Sequence, residues 1–144
     1  MKLIEDPRYL KLDRAFPGVL GALTELREQA NLHLCTNRQD RRRTEQQLES
    51  LGMTGFFRKI MVTEQRNTKD QLIRSEVQAF GEPDWLVGDT GEDIRIGRLC
   101  KLQTCAVSNG FSSPATLARW HPDLILPSVI EFSVDPDLAQ RIRP

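Results

Sequence analysis

Cysteine, histidine and aromatic residues are scarce in this chain, and their scarcity excludes several kinds of protein. The 144 residues include 3 cysteines and 2 histidines, and 6% of them are aromatic. Cys35, Cys100 and Cys105 form no Cys-x-x-Cys pair, so they predict reduced thiols in the cytoplasm and argue against a disulfide-bonded secreted protein. His33 and His121 lie far apart and share no spacing with the cysteines, which argues against a zinc site.

The chain also lacks an excess of charge of either sign and any long apolar segment. Basic and acidic residues number 20 each, so neither nucleic acid nor an acidic membrane surface is an expected partner. No apolar run reaches membrane-spanning length, and the charged N-terminal segment does not resemble a signal peptide. A local basic cluster, Arg38, Arg41, Arg42 and Arg43, predicts a solvated helix face. A docking patch for an anionic substrate or for nucleic acid is the alternative.

Short apolar runs alternate with helical patterns along the chain. The strand-like runs are NLHLC, KIMV, WLVG, QTCAV and DLIL, and helical patterns lie before, between and after them, the last over residues 135–142. Side chains expected to face inward include those of Val19, Leu20, Leu23, Leu26, Leu48, Leu51, Leu72, Ile73 and Val77. Trp85 and Trp120 are expected to be core and helix-packing residues. This alternation predicts a single α/β domain over residues 1–144, with a mostly parallel sheet covered by helices on both faces.

Polar residues follow three of the predicted strands, at the sheet edge where such folds bind ligands. Thr36 and Asn37 follow the first strand, where a hydroxyl and backbone amides favour anion binding. A plain helix cap is the other interpretation of these two residues. Lys69 opens the helix after the second strand, and a cation at that end of a helix suggests a partner anion. A solvated surface lysine is the commoner interpretation of a lone lysine. Asp89 and Asp93 follow the third strand.

Carboxylates beside an anion cradle and a lysine indicate a Mg²⁺–phosphate site. Magnesium takes one or two carboxylates, with water and phosphate oxygens completing its shell. For Asp93 taken alone, a surface acid that favours the helix dipole is the competing interpretation. For Asp89 that interpretation is weaker, because this residue follows WLVG directly and must lie at the edge of the sheet.

The chain order of Thr36, Lys69 and the Gly-Asp-x-x-x-Asp run resembles the haloacid dehalogenase superfamily, in its phosphoglycolate-phosphatase-like branch. The resemblance implies that Thr36 binds the transferred phosphoryl group and that Lys69 offsets its charge. It also implies that Asp89 and Asp93 hold Mg²⁺ and that the loop with Gly110 lies near a small phosphorylated metabolite. The implied fold is a three-layer Rossmann-like core without a cap domain of its own. Receiver domains carry similar residues, but their acids precede the threonine.

The first motif of that family, an apolar strand ending in Asp-x-Asp-x-Thr, does not occur in the sequence. Asp6 and Asp13 follow short apolar runs, but neither has a second acid two residues later. Residues 1–16 are therefore expected to be a substitute strand or the remnant of a cap linker. Three interpretations stay open: a fragment of a phosphatase, a non-catalytic phosphate-binding or regulatory module, and a sheet completed by a second copy or another chain. Each predicts impaired phosphomonoester hydrolysis by this chain alone.

Overall fold

The computed structural model of the protein describes residues 17–81 and 83–132. The predictions on Asp6, Asp13, the segment 1–16 and the closing helix over 135–142 lie outside these residues. The chain divides into two compact units, one ending at Ile73 and the other beginning at Arg74. Each unit is described by itself.

The first unit is built on two parallel strands. Its elements are α1 (Val19–Gln29), β1 (His33–Thr36), α2 (Arg41–Ser50), β2 (Lys59–Val62) and the start of α3 (Lys69–Glu76). Strand β1 pairs with β2 in a register that sets Thr36 opposite Val62, the last residue of β2. Both strands therefore end at the same edge, and the segments that leave them lie side by side.

Helix α1 packs its apolar stripe inward as the periodicity predicts, with one exception. Val19, Leu23 and Leu26 are buried, whereas Leu20 is 39% exposed, so the prediction for Leu20 was wrong. Leu20 lies one position beyond the narrow i, i+4, i+7 stripe of the other three, and that position turns toward solvent.

Helix α2 ends on a glycine that the chain geometry requires. Gly52 has a φ of 72°, a left-handed conformation that glycine adopts without steric cost. The amide of Met53 donates to the carbonyl of Leu48 at 2.8 Å, which satisfies one of the last free carbonyls of the helix.

The second unit is built on three parallel strands in the order β3-β4-β5. Its elements are β3 (Trp85–Gly88), α4 (Gly91–Leu99), β4 (Gln103–Val107), α5 (Pro114–Ala118), β5 (Leu124–Leu126) and a 3₁₀ turn (Val129–Glu131). Its core includes Ile94, Ala106 and Leu117, all with no exposed surface. Trp120, expected to be a core or helix-packing residue, is 40% exposed, because it lies just beyond the end of its helix.

Helix α4 lies close to strand β4, and a glycine makes this possible. A Cβ on Gly97 would stand 2.5 Å from Thr104 Cγ2. Thr104 is itself held, because Asp123 Oδ2 accepts from its amide at 2.7 Å and from its hydroxyl at 3.0 Å. The position of α4 over the sheet is therefore fixed by close contact near its C-terminus.

The α/β class and the parallel pairing predicted from the alternation are confirmed. In residues 17–81 and 83–132 strand and helix follow one another without an inserted domain. Within the same ranges no helix has the length and apolar content needed to cross a membrane.

Candidate functional site

The loop after β1 carries the first two predicted site residues. Thr36 is the last residue of β1 and is half-buried, and Asn37 is exposed. Helix α2 does not begin until Arg41, and Asp40 caps it by accepting from the amide of Arg43 at 3.0 Å. The interpretation of Thr36 and Asn37 as a plain helix cap is therefore wrong, and the two side chains lie between strand and helix.

The loop after β2 is bonded to the loop after β1. The amide of Thr63 donates to the carbonyl of Thr36 at 3.0 Å, and the amide of Glu64 donates to the carbonyl of Arg38 at 2.9 Å. Glu64 and Gln65 have φ values of 49° and 59°, a left-handed conformation that is rare for non-glycine residues and clusters at functional sites. The strained backbone thus lies where the two loops are bonded to each other.

Lys69 follows this loop as the first residue of α3 and is half-buried. The side chain of Gln71 accepts from the amide of Thr68 at 3.0 Å, which is one of the two hydrogen bonds of a capping box. A lysine in the first turn is repelled by the helix dipole. An anion bound at this end of α3 would offset that repulsion.

Asp89 directly follows β3 and lies against the loop that contains Gly110. Asp89 Oδ2 accepts from the amide of Phe111 at 2.9 Å, and a Cβ on Gly110 would stand 2.7 Å from Asp89 Cγ. Only glycine leaves room for the carboxylate there. Within the described part of the chain Asp89 Oδ1 accepts no hydrogen bond, so this oxygen is available to a ligand.

Asp93 lies at the same end of β3 and caps helix α4. Its Oδ2 accepts from the hydroxyl of Thr90 at 2.9 Å and from the amide of Thr90 at 3.3 Å. A Cβ on Gly88 would stand 2.5 Å from Asp93 Cγ, so the buried carboxylate rests on the strand end. Asp93 thus has a structural role in the capping of α4, which the sequence pattern did not reveal.

These two carboxylates suit a hard cation such as Mg²⁺. Magnesium binds through one or two carboxylates and keeps several waters, and Asp89 and Asp93 present hard oxygens at one strand end. No group of three or more acidic, histidine or cysteine side chains that could hold a metal occurs in residues 17–81 and 83–132. The donor set therefore fits a cation whose shell is completed by water and ligand, and does not fit an all-protein cage.

A surface depression of about 400 Å³ lies elsewhere in the second unit. Its lining includes Phe80 and Gly81, which precede β3, and Leu99, Cys100 and Lys101, which precede β4. These residues stand at the amino ends of the strands, whereas Asp89 and Gly110 stand beyond the carboxyl ends. The depression is therefore not the predicted site.

The basic cluster does not form one solvated face. Arg41 Nη1 donates to the carbonyl of Ile60 at 2.7 Å, and Arg43 Nε lies 3.8 Å from Asp40 Oδ2. Arg42 is exposed. Arg38 precedes the helix, and its Nη1 is buried with no hydrogen-bond partner in the described ranges. The predicted solvated face describes Arg42 and Arg43, which are exposed, and Arg41, whose side chain is 40% exposed, but it does not describe the buried Nη1 of Arg38.

The sequence model of the haloacid dehalogenase-like hydrolase family matches residues 5–107 of the chain. A search of curated proteins found no match.

Solved structures share the fold. A haloacid dehalogenase-like family hydrolase from Streptococcus pneumoniae is 24% identical and superposes with a TM-score of 0.75 over 85% of this chain and 60% of its own. A predicted phosphoglycolate phosphatase from Haemophilus somnus is 18% identical, with a TM-score of 0.70 over 81% of this chain and 54% of its own. A magnesium-bound haloacid dehalogenase hydrolase from Bacillus subtilis is 21% identical, with a TM-score of 0.64 over 79% and 52%. The chain thus spans less than two thirds of each.

Proposed function

This chain belongs to the haloacid dehalogenase-like hydrolases, and we propose that it binds Mg²⁺ and the phosphate group of a small phosphorylated metabolite. Thr36, Asn37 and Lys69 bind the phosphate, and Asp89 and Asp93 hold the cation. The observation that carries the proposal is Asp89, a carboxylate at a strand end with one oxygen fixed by the amide of Phe111 and the other available.

The phosphate-binding half rests on the two bonded loops of the first unit. Thr36 offers a hydroxyl, and Asn37 offers an amide on an exposed side chain. Lys69 supplies a positive charge from the first turn of α3, and a lysine binds phosphate as a point charge. The backbone bonds from Thr63 and Glu64 keep these loops in fixed relation, which lowers the entropy lost on binding.

The metal-binding half rests on the strand end of β3. When bound, Mg²⁺ neutralises negative charge on phosphate oxygens. Asp89 is the principal ligand because its Oδ1 is not used within the described residues. Asp93 is second, because its Oδ2 already accepts from Thr90. Gly110 leaves the space that Asp89 occupies and lines the approach of the phosphorylated metabolite.

The class of reaction is phosphomonoester hydrolysis by family membership, but the nucleophilic Asp-x-Asp-x-Thr run does not occur in these 144 residues. Residues of this chain therefore position phosphate and cation without forming a phosphoenzyme. We propose that hydrolysis by the chain alone is impaired. The same residues would serve a non-catalytic phosphate-binding module, or a sheet completed by a second copy or another chain. The reduced cysteines favour the cytoplasm.

Titration calorimetry with Mg²⁺ alone tests the metal-binding half. Asp89→Asn keeps an oxygen that can accept from the Phe111 amide and removes only the charge. We expect Mg²⁺ affinity to fall about tenfold or more, because mutating even a residue that only hydrogen-bonds a metal ligand typically lowers metal affinity by that amount. Asp93→Asn should have a smaller effect on affinity, and it should also lower stability because Asp93 caps α4.

Asp84→Asn is the matched control. Asp84 precedes the same strand at its amino end, where its Oδ2 accepts from the amide of Gly81 at 3.0 Å, and asparagine can keep that bond. This variant changes the net charge by the same amount and should bind Mg²⁺ as the original chain does. Equal affinity in the Asp89→Asn and Asp84→Asn variants would refute the metal site.

A further inference from the structure

Arg38 is the one member of the basic cluster with a buried nitrogen that lacks an acceptor within residues 17–81 and 83–132. Its neighbours do not share this condition. Arg41 Nη1 donates to a carbonyl at 2.7 Å, and Arg43 lies beside Asp40. Burying an ionic donor without an acceptor is costly, and such groups in native proteins call for an explanation, such as a bound ion.

The loop after β2 holds the backbone of Arg38 in place. Its carbonyl accepts from the amide of Glu64 at 2.9 Å, and Glu64 adopts the left-handed conformation that permits this bond. Arg38 also stands two residues after Thr36, between that residue and the helix cap Asp40. The guanidinium is therefore attached to a fixed backbone next to the phosphate-binding residues.

We propose that Arg38 is a further phosphate-binding residue, whose guanidinium donates to the oxygens of the phosphoryl group held by Thr36 and Lys69. This inference rests on the proposed function. An arginine presents its donors in a planar fork that matches the oxygens of phosphate, and its bonds to them are charge-assisted. A bound phosphoryl group supplies the acceptor that Nη1 lacks in the described part of the chain.

The proposal distinguishes Arg38 from a residue that only supports the fold. Replacing an arginine that only supports the fold would lower stability and leave the affinity for phosphate unchanged. Replacing Arg38 by glutamine removes the guanidinium, whose Nη1 is buried without an acceptor in the described ranges, so the unfolding midpoint without phosphate should not fall. The affinity for phosphate should fall at the same time.

Titration calorimetry of the full chain with inorganic phosphate tests the proposal. Arg38→Gln should weaken binding about tenfold or more, the loss expected for a charge-assisted hydrogen bond. Arg42→Gln is the control, because Arg42 belongs to the same cluster, is exposed and undergoes the same change of charge. It should bind phosphate as the original chain does. Equal affinities in the Arg38→Gln variant and the original chain would overturn the proposal.

Two further variants keep the outcome decisive. Arg38→Lys retains the charge without the planar fork and should bind phosphate more weakly than the original chain. If Arg38→Gln fails to fold, an unchanged phosphate affinity in the Arg38→Lys variant overturns the proposal. Lys69→Gln reports on the proposed function itself. Weakened binding in Lys69→Gln with unchanged binding in Arg38→Gln would refute the role of Arg38 alone, and no binding by the original chain would refute both.

Discussion

Replacing Gly110 with alanine tests the contact on which the candidate metal site depends. The new Cβ would lie 2.7 Å from Asp89 Cγ and 2.5 Å from Asp89 Cβ. Carbon atoms in van der Waals contact are separated by roughly 3.5–4 Å, so Asp89 or the loop of Gly110 must move by about 1 Å. The backbone of Gly110 has no left-handed φ, so the effect of the substitution comes from space alone.

The expected cost follows from what that movement breaks. Forcing an extra carbon into a filled space costs about 1–3 kcal/mol, and losing the hydrogen bond from the Phe111 amide to the Asp89 carboxylate costs a similar amount. These two costs are alternatives, because moving Asp89 relieves the clash. We therefore expect the free energy of unfolding to fall by about 2 kcal/mol, which lowers the melting midpoint by roughly 4–8 °C in a chain of this size.

Urea unfolding and Mg²⁺ titration on the same sample measure both consequences. Gly110→Ala should lose stability and also bind Mg²⁺ about tenfold more weakly, because Asp89 is displaced. Gly55→Ala is the control, since among the described residues, its chain neighbours aside, no atom lies within 4 Å of the Cβ it would add. Its stability should change by less than about 0.5 kcal/mol. If Gly110→Ala matches Gly55→Ala in both measurements, Asp89 does not lie where the structure has it.

Two other predictions concern activity and pH. These 144 residues, with Mg²⁺, should hydrolyse p-nitrophenyl phosphate no faster than buffer, because they lack the nucleophilic motif; turnover abolished by Asp6→Asn would show that reasoning to be wrong. Burial raises the pKa of the Cys105 thiol to about 12, so the folded state favours the neutral thiol. Stability should be unaffected by this group below pH about 8.5 and decline between there and pH 12. Urea unfolding at pH 8 and pH 10.5 should show a larger loss for the original chain than for Cys105→Ala, and equal losses would contradict the assignment.

Much of the fold follows from local sequence pattern. The predicted strands KIMV, WLVG and QTCAV have the bounds found in the structure, because each is a short apolar run between residues that favour turns. The exposed Leu20 shows the limit of that reasoning, since periodicity gives the direction of an apolar stripe but not its width. Which strands pair, and in what register, depends on distant residues, and no local pattern contains that information.

The candidate site was predicted only as a set of residue positions. Asp93 was expected from its spacing to Asp89, yet its hydrogen bonds to Thr90 depend on the capping geometry of α4. Arg38 was grouped with the solvated arginines, because a run of basic letters does not show which nitrogen is buried. Glu64 gave no signal in the sequence, since its bonds are to distant backbone groups: its amide donates to the carbonyl of Arg38, and its Oε1 accepts from the amide of Arg41.

The position of the indole of Trp120 has an optical consequence. This side chain is 40% exposed and lies against Gly91, where an added Cβ would be 2.5 Å from Trp120 Cδ1. Gly91 is two residues after Asp89, so the fluorophore stands next to the helix end that follows the candidate metal ligand. The chain's other tryptophan, Trp85, begins β3 at its amino end and packs edge-on against Phe132 at 5.4 Å. A Trp85→Phe variant would thus contain a single tryptophan, beside the candidate site, so that ligand binding could be followed by intrinsic tryptophan fluorescence without an attached dye.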